Sequence, residues 1–60
     1  MFKYNVICFA TSKIGKFTIG KSYVLNIHRM NDIEWSTVTD DDGEERSFYE
    51  QSWQRVFNYE

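Results

Sequence analysis

The segment Val38-Thr39-Asp40-Asp41-Asp42-Gly43-Glu44-Glu45-Arg46-Ser47-Phe48 most constrains this chain. An acidic Asp-Gly turn lies between runs rich in β-branched and aromatic residues, which is the strongest short-range signal for a β-hairpin. A chain organised around such a turn is a small β domain with tightly connected strands.

The residues on either side extend that pattern. Phe2 to Ala10 reads as a strand, with Val6 and Cys8 on one face and Ile7 and Phe9 on the other. Thr11 to Phe17 is polar and basic, contains Gly15, and reads as a loop. Lys21 to Arg29 sets Tyr23, Leu25 and Ile27 against Val24, Asn26 and His28, the alternation of a half-buried strand. Met30-Asn31-Asp32 is a turn, and Ile33 to Thr39 is a third strand. Trp35 and Val38 have opposite parity there, so one of them faces outward or a bulge resets the register. Arg46 to Tyr49 forms a fourth strand, Glu50 to Trp53 a single helical or 3-10 turn, and Val56 to Tyr59 a short fifth strand. The expected architecture is all-β: a single domain over residues 1–60, folded as a small, closed or nearly closed five-stranded barrel.

Sixty residues lie near the lower limit for a core without staples. Five Phe, four Tyr and two Trp compensate. Each ring buries roughly 150–250 Å², at about 25 cal/mol per Å². Cys8 is the only cysteine, so no internal disulfide forms, and a reducing compartment fits. Polar and basic residues interrupt positions 1–20, and no apolar run reaches membrane-spanning length. The expected location is the cytoplasm.

The pattern Val6-x-Cys8, then Phe17-Thr18-Ile19-Gly20-Lys21-Ser22-Tyr23-Val24-Leu25, then Val38 to Glu44, an aromatic pair and a final Trp53 and Phe57 resembles a diffuse family. Its members are small SH3-like β-barrel proteins of bacteriophages and of prophages in Gram-positive bacteria. The resemblance covers most of the chain and implies their barrel. Phage accessory proteins of this size often bind and inhibit a host enzyme. The resemblance therefore implies a protein-binding role in the host cytoplasm, an analogy of fold rather than of site. The basic segment with Lys13 and Lys16 departs from the family pattern.

Catalysis has little to work with. A nucleophile–base pair would need Cys8 or a serine beside His28, the only histidine. Cys8 sits in an apolar strand, where a small buried thiol is the ordinary role. Asp40, Asp41, Asp42, Glu44 and Glu45 echo part of a calcium loop, but Gly43 is followed by strand residues and the twelfth ligand position is missing. No enzyme activity, metal or cofactor is expected.

Charge is divided along the chain. Residues 1–30 carry Lys3, Lys13, Lys16, Lys21 and Arg29 without an acid, whereas all nine acids follow position 30. A folded sheet interleaves the halves, so opposite charges can face each other across strands. A basic, aromatic patch of Lys13, Lys16, Lys21 and Arg29 with Phe17 and Tyr23 would suit nucleic acid. The pI near 5.2 argues against that alternative. The favoured reading is a non-enzymatic module that binds a host protein and inhibits or modulates it by occlusion or by mimicry of DNA phosphates. Its expected contacts are Trp35, Tyr49 and Trp53, with an acidic rim of Asp40, Asp41, Asp42, Glu44 and Glu45 that speeds encounter with a basic partner. A monomer is favoured. The strand edges Phe2 to Ala10 and Val56 to Glu60 carry no proline and leave a homodimer as the alternative.

Overall fold

The structure is a computed structural model and describes Phe2 to Glu60. Five strands, β1 (Phe2–Ala10), β2 (Ser22–Met30), β3 (Ile33–Thr39), β4 (Glu45–Tyr49) and β5 (Phe57–Tyr59), form one antiparallel sheet in the order β4-β3-β2-β1-β5. A 3-10 turn, η1 (Ser52–Arg55), precedes β5. Each expected strand is present within a residue or so of its expected ends, and the helical turn falls two residues later than expected. The closed barrel is not seen. The edges β4 and β5 are not hydrogen-bonded to each other, so the sheet is open. Among the described residues, no helix is long and apolar enough to cross a membrane.

Strand parity decides the core. Cys8 and Ala10 of β1, Tyr23, Leu25 and Ile27 of β2 and Val38 of β3 point inward and are buried. Trp35 points to the opposite side, and the β3–β4 ladder runs unbroken from Trp35↔Tyr49 to Thr39↔Glu45. The parity conflict is thus resolved by Trp35 facing out, without a bulge. The inward side is capped by chain rather than by a second sheet. Phe17 from the long β1–β2 loop and Trp53, Val56 and Phe57 from the chain end fold over it. Phe57 is fully buried, with its ring centroid 4.9 Å from Phe17, 5.7 Å from Tyr23 and 6.0 Å from Phe48 in edge-on contacts. Phe17 and Tyr23, expected as surface rings if nucleic acid were the partner, are core residues.

The turns follow from their chemistry. Asn31 adopts a left-handed φ of 57° in the two-residue connection between Met30 and Ile33, a conformation asparagine tolerates well. The acidic β3–β4 turn is a three-residue loop: the Asp40 N–H donates to the Glu44 carbonyl at 2.8 Å, and Gly43 takes φ 82°. That is the glycine-bulge hairpin, in which only glycine is free of strain at the last loop position.

One core position is poorly matched. Ser36 is fully buried opposite Ile27 and Phe48, and its hydroxyl has no hydrogen-bond partner among the described residues. A buried unsatisfied hydroxyl costs about 1–3 kcal/mol. Ser36→Ala is therefore expected to raise stability by about 1 kcal/mol, read as a higher urea midpoint with an unchanged slope. An unchanged or lower midpoint would show that the hydroxyl is satisfied in solution.

Candidate partner-binding face

The outward face of the sheet is set by the same parity. Register aligns Lys3, His28, Trp35 and Tyr49 side by side across β1, β2, β3 and β4. His28 and Trp35 stack in parallel, with centroids 5.1 Å apart and 6° between planes, and His28 Nε2 lies 3.1 Å from Thr37 Oγ1. Trp35 is half-buried by these neighbours, whereas Tyr49 is 68% exposed. Exposed Met30 and Ile33 pair at the end of the same hairpin and extend the apolar strip. A second row, Asn5, Asn26, Thr37 and Ser47, is polar throughout and separates the strip from exposed Ile7 and Val24.

Beside Tyr49 the chain leaves β4 through Glu50, whose φ of 52° turns it sharply toward η1. Tyr49, Glu50, Gln51, Ser52 and Arg55 line a depression of about 360 Å³ there, wide open to solvent. Arg55 forms no ion pair among the described residues.

The acidic hairpin is only partly a surface feature. Asp40 is buried: its Oδ1 accepts the N–H groups of Asp42 and Glu44, both at 2.9 Å, and its Oδ2 accepts Arg46 Nε at 2.8 Å. The Arg46 hydrogen bond, with those two backbone bonds, holds its pKa below the usual carboxylate value. Asp41 reaches across to the β1–β2 loop. It accepts Thr18 Oγ1 at 2.6 Å, Tyr23 Oη at 2.7 Å and Lys21 Nζ at 3.0 Å, while its N–H donates to the Lys16 carbonyl at 2.9 Å. These hydrogen bonds, Thr18's foremost, bring its pKa down to about 2. Tyr23 Oη also accepts the Thr18 N–H at 2.8 Å, so one carboxylate pins loop, strand and hairpin together.

Three expected contact residues therefore have structural duties. Asp40 and Asp41 hold the hairpin and loop, because a carboxylate beside several donors is stabilised in place rather than left for a partner. Trp53 is 3% exposed and packs edge-on against Tyr59 at 5.4 Å, because η1 tucks its apolar residue beneath the sheet end. Glu44 is exposed but shares Arg46. Asp42 and Glu45 are exposed and make no ion pair among the described residues. Trp35, Tyr49 and Glu45 share the outward face. His28, Met30 and Ile33 were not among the expected contacts, although the Asn31-Asp32 turn fixes the register that puts His28 opposite Trp35. Arg55 carried no such signal.

The charge division along the chain is partly cancelled by folding. Lys21–Asp41 and Arg29–Glu34 join the two halves, whereas Arg46 takes its acids, Asp40 and Glu44, from its own half. No group of three or more His, Cys, Asp or Glu side chains converges as a metal site among the described residues. Comparison with protein-family models, curated proteins and solved structures finds no match to the chain.

Proposed function

We propose that this chain is a non-enzymatic binding module that holds another protein against the outward face of its sheet. The observation that carries this reading is the Trp35–Tyr49 strip: rings presented to solvent on a sheet face and flanked by Met30 and Ile33, with Glu45, which makes no ion pair among the described residues, on the same face beyond the Thr37–Ser47 pair. Exposed aromatic anchors beside a charged rim are the usual composition of a binding hot spot. Strand order, with β5 beside β1 and a 3-10 turn before it, supports the SH3-like resemblance. By that resemblance the partner is a host protein and the outcome is occlusion of its surface. Mimicry of DNA phosphates draws less support, since Asp40 and Asp41 are tied up internally. The nucleic-acid alternative keeps Lys13 and Lys16, which make no ion pair among the described residues, but loses Phe17 and Tyr23 to the core.

The test is a pull-down from bacterial lysate at low and high salt, with any captured protein then titrated against purified variants. Tyr49→Ala is expected to weaken binding about 30-fold, the effect of losing a hot-spot ring worth ~2 kcal/mol. Glu45→Lys should slow association and reduce its salt dependence. A partner that binds Tyr49→Ala and Trp35→Ala as tightly as the parent would overturn this face. Recovery of nucleic acid, lost in Lys13→Glu with Lys16→Glu, would establish the alternative.

A further inference from the structure

β5 covers only one end of β1. Its ladder is Cys8↔Tyr59, Phe9↔Asn58 and Ala10↔Phe57, and the Glu60 N–H reaches the Ile7 carbonyl at 3.2 Å. From Phe2 to Val6, β1 has no described neighbour on that side. The direction of its backbone groups follows from these bonds. The Ile7 carbonyl faces β5, while the Ala10 N–H and carbonyl face Lys21 and Gly20. Antiparallel strands alternate these directions residue by residue. Lys3 and Asn5 consequently aim both N–H and C=O out of the sheet edge. Phe2 and Tyr4 lie on the inward side of this stretch, 58% and 38% exposed, with ring centroids 5.5 Å apart. Lys3 is its single charge, and no proline guards it.

We propose that this edge pairs with the same edge of a second copy, antiparallel about a two-fold axis through Tyr4, so that one sheet runs through both chains. Self-complementarity selects the register. Setting Lys3 against the partner's Lys3 opposes like charges. Setting Asn5 against the partner's Asn5 drives two residues of β1 into β5, with Lys3 at Ile7 and Phe2 at Cys8, where Glu60 and Tyr59 already lie. Setting Lys3 against the partner's Asn5 satisfies all the outward N–H and C=O groups of both residues on each chain. It also brings Tyr4 against the partner's Tyr4 and Phe2 against the partner's Val6, covering the exposed ring pair.

The opposite edge is built differently. Since the Glu50 N–H and the Glu44 carbonyl face β3 or its extension, β4 turns the backbone of Glu45, Ser47 and Tyr49 outward. Pairing of two such edges about Ser47 would set Glu44 against the partner's Glu50, and acids along a strand edge repel a second copy. Of these two edges, the β1 edge is therefore the one that suits self-association, and it offers five residues where the outer side of β5 offers three. The contact leaves Trp35 and Tyr49 uncovered, so the dimer presents two copies of the proposed binding face and gains avidity for a repetitive partner.

Paired segments of five residues make a small interface of the weak class, so sedimentation equilibrium should span roughly 10 μM to 1 mM. The expected result is a rise from the mass of one chain to that of two. Over the same range the amides of Lys3 and Asn5 should gain protection from hydrogen exchange. Asn5→Pro removes a donor that points away from the intramolecular ladder, a position where an edge strand tolerates proline. It should keep the fold by circular dichroism and abolish the dimer. Tyr4→Cys should cross-link to its own copy under mild oxidation, because residues on the axis approach within disulfide range; Phe2→Cys should not. A chain that stays monomeric to the top of the range overturns the proposal. So does a dimer that survives Asn5→Pro, or one in which the Lys3 and Asn5 amides stay unprotected.

Discussion

Phe57→Ala is expected to leave much of the protein unfolded at 25 °C. Phe57 is fully buried at the centre of the ring cluster, touching Phe17 from the β1–β2 loop, Tyr23 from β2 and Phe48 from β4. Truncating such a ring costs about 3–5 kcal/mol, transfer and cavity together. At roughly 0.05–0.15 kcal/mol per residue, a chain of this size has only about 3–9 kcal/mol of total stability. The loss is enlarged by position, because Phe57 opens the three-residue β5 and pairs with Ala10. Without the ring, the chain end keeps Trp53 and Val56 in the core and the bonds from Thr11 to the Val56 carbonyl, but loses the side chain that ties β5 to Phe17, Tyr23 and Phe48. Urea titration followed by tryptophan fluorescence reads the effect directly, since Trp53 is buried beside this cluster. Phe57→Leu should lose less than half as much. A loss below about 1 kcal/mol for the alanine variant, under the usual range for buried rings, would mean that the cluster repacks around the gap.

The second large effect is expected at Asp41, and it depends on pH. The folded-state pKa of about 2 lies below the ordinary 3.8, so the ionised carboxylate favours the fold. Its contribution is complete at neutral pH and fades as pH falls from about 4 toward about 2. The parent protein should therefore lose stability steadily over that window. Asp41→Asn should start lower at pH 7, because it weakens the bonds from Thr18, Tyr23 and Lys21 together, and should fall less steeply in acid. The two stability curves should converge near the acid end, with Asp40, also held low by Arg46, giving the variant its remaining slope. Urea midpoints at pH 7, 4, 3 and 2.5 test this. Parallel curves would show that Asp41 is not the carboxylate responsible. Charge reversal at Asp41 is consequently a change to the fold, whereas reversal at Asp42 or Glu45 changes the surface.

Several parts of the molecule could be read from neighbouring residues alone. The extents of β1 and β3, the alternation of β2 and the Asp-Gly connection depend on period-two side-chain placement and local turn chemistry, and all are found in the fold. The candidate face was half legible. Parity left either opposite faces for Trp35 and Val38 or a bulge between them, and the unbroken ladder of the fold decided for the first, with the Asn31-Asp32 turn setting Trp35 beside His28. Tyr49 joined them because the β3–β4 register puts it opposite Trp35.

Other features depended on contacts between residues distant in sequence. Whether a tryptophan near the chain end lies outside or inside is decided by how η1 folds against the sheet, which no local pattern encodes. The acidic run looked like a solvated tip because nothing adjacent to Asp41 reveals Thr18 and Tyr23, which lie 23 and 18 residues away. The same holds for the open edge. The sequence shows an unguarded β1, but only the meeting of β5 with Cys8 to Ala10 leaves Phe2 to Val6 exposed. By itself the sequence determined the strands, their faces and their turns, since these arise from backbone geometry over a few residues. The tertiary structure decided which charges are spent on the fold, which rings are buried and which edge stays free, since burial and ion pairing belong to the arrangement of the whole chain.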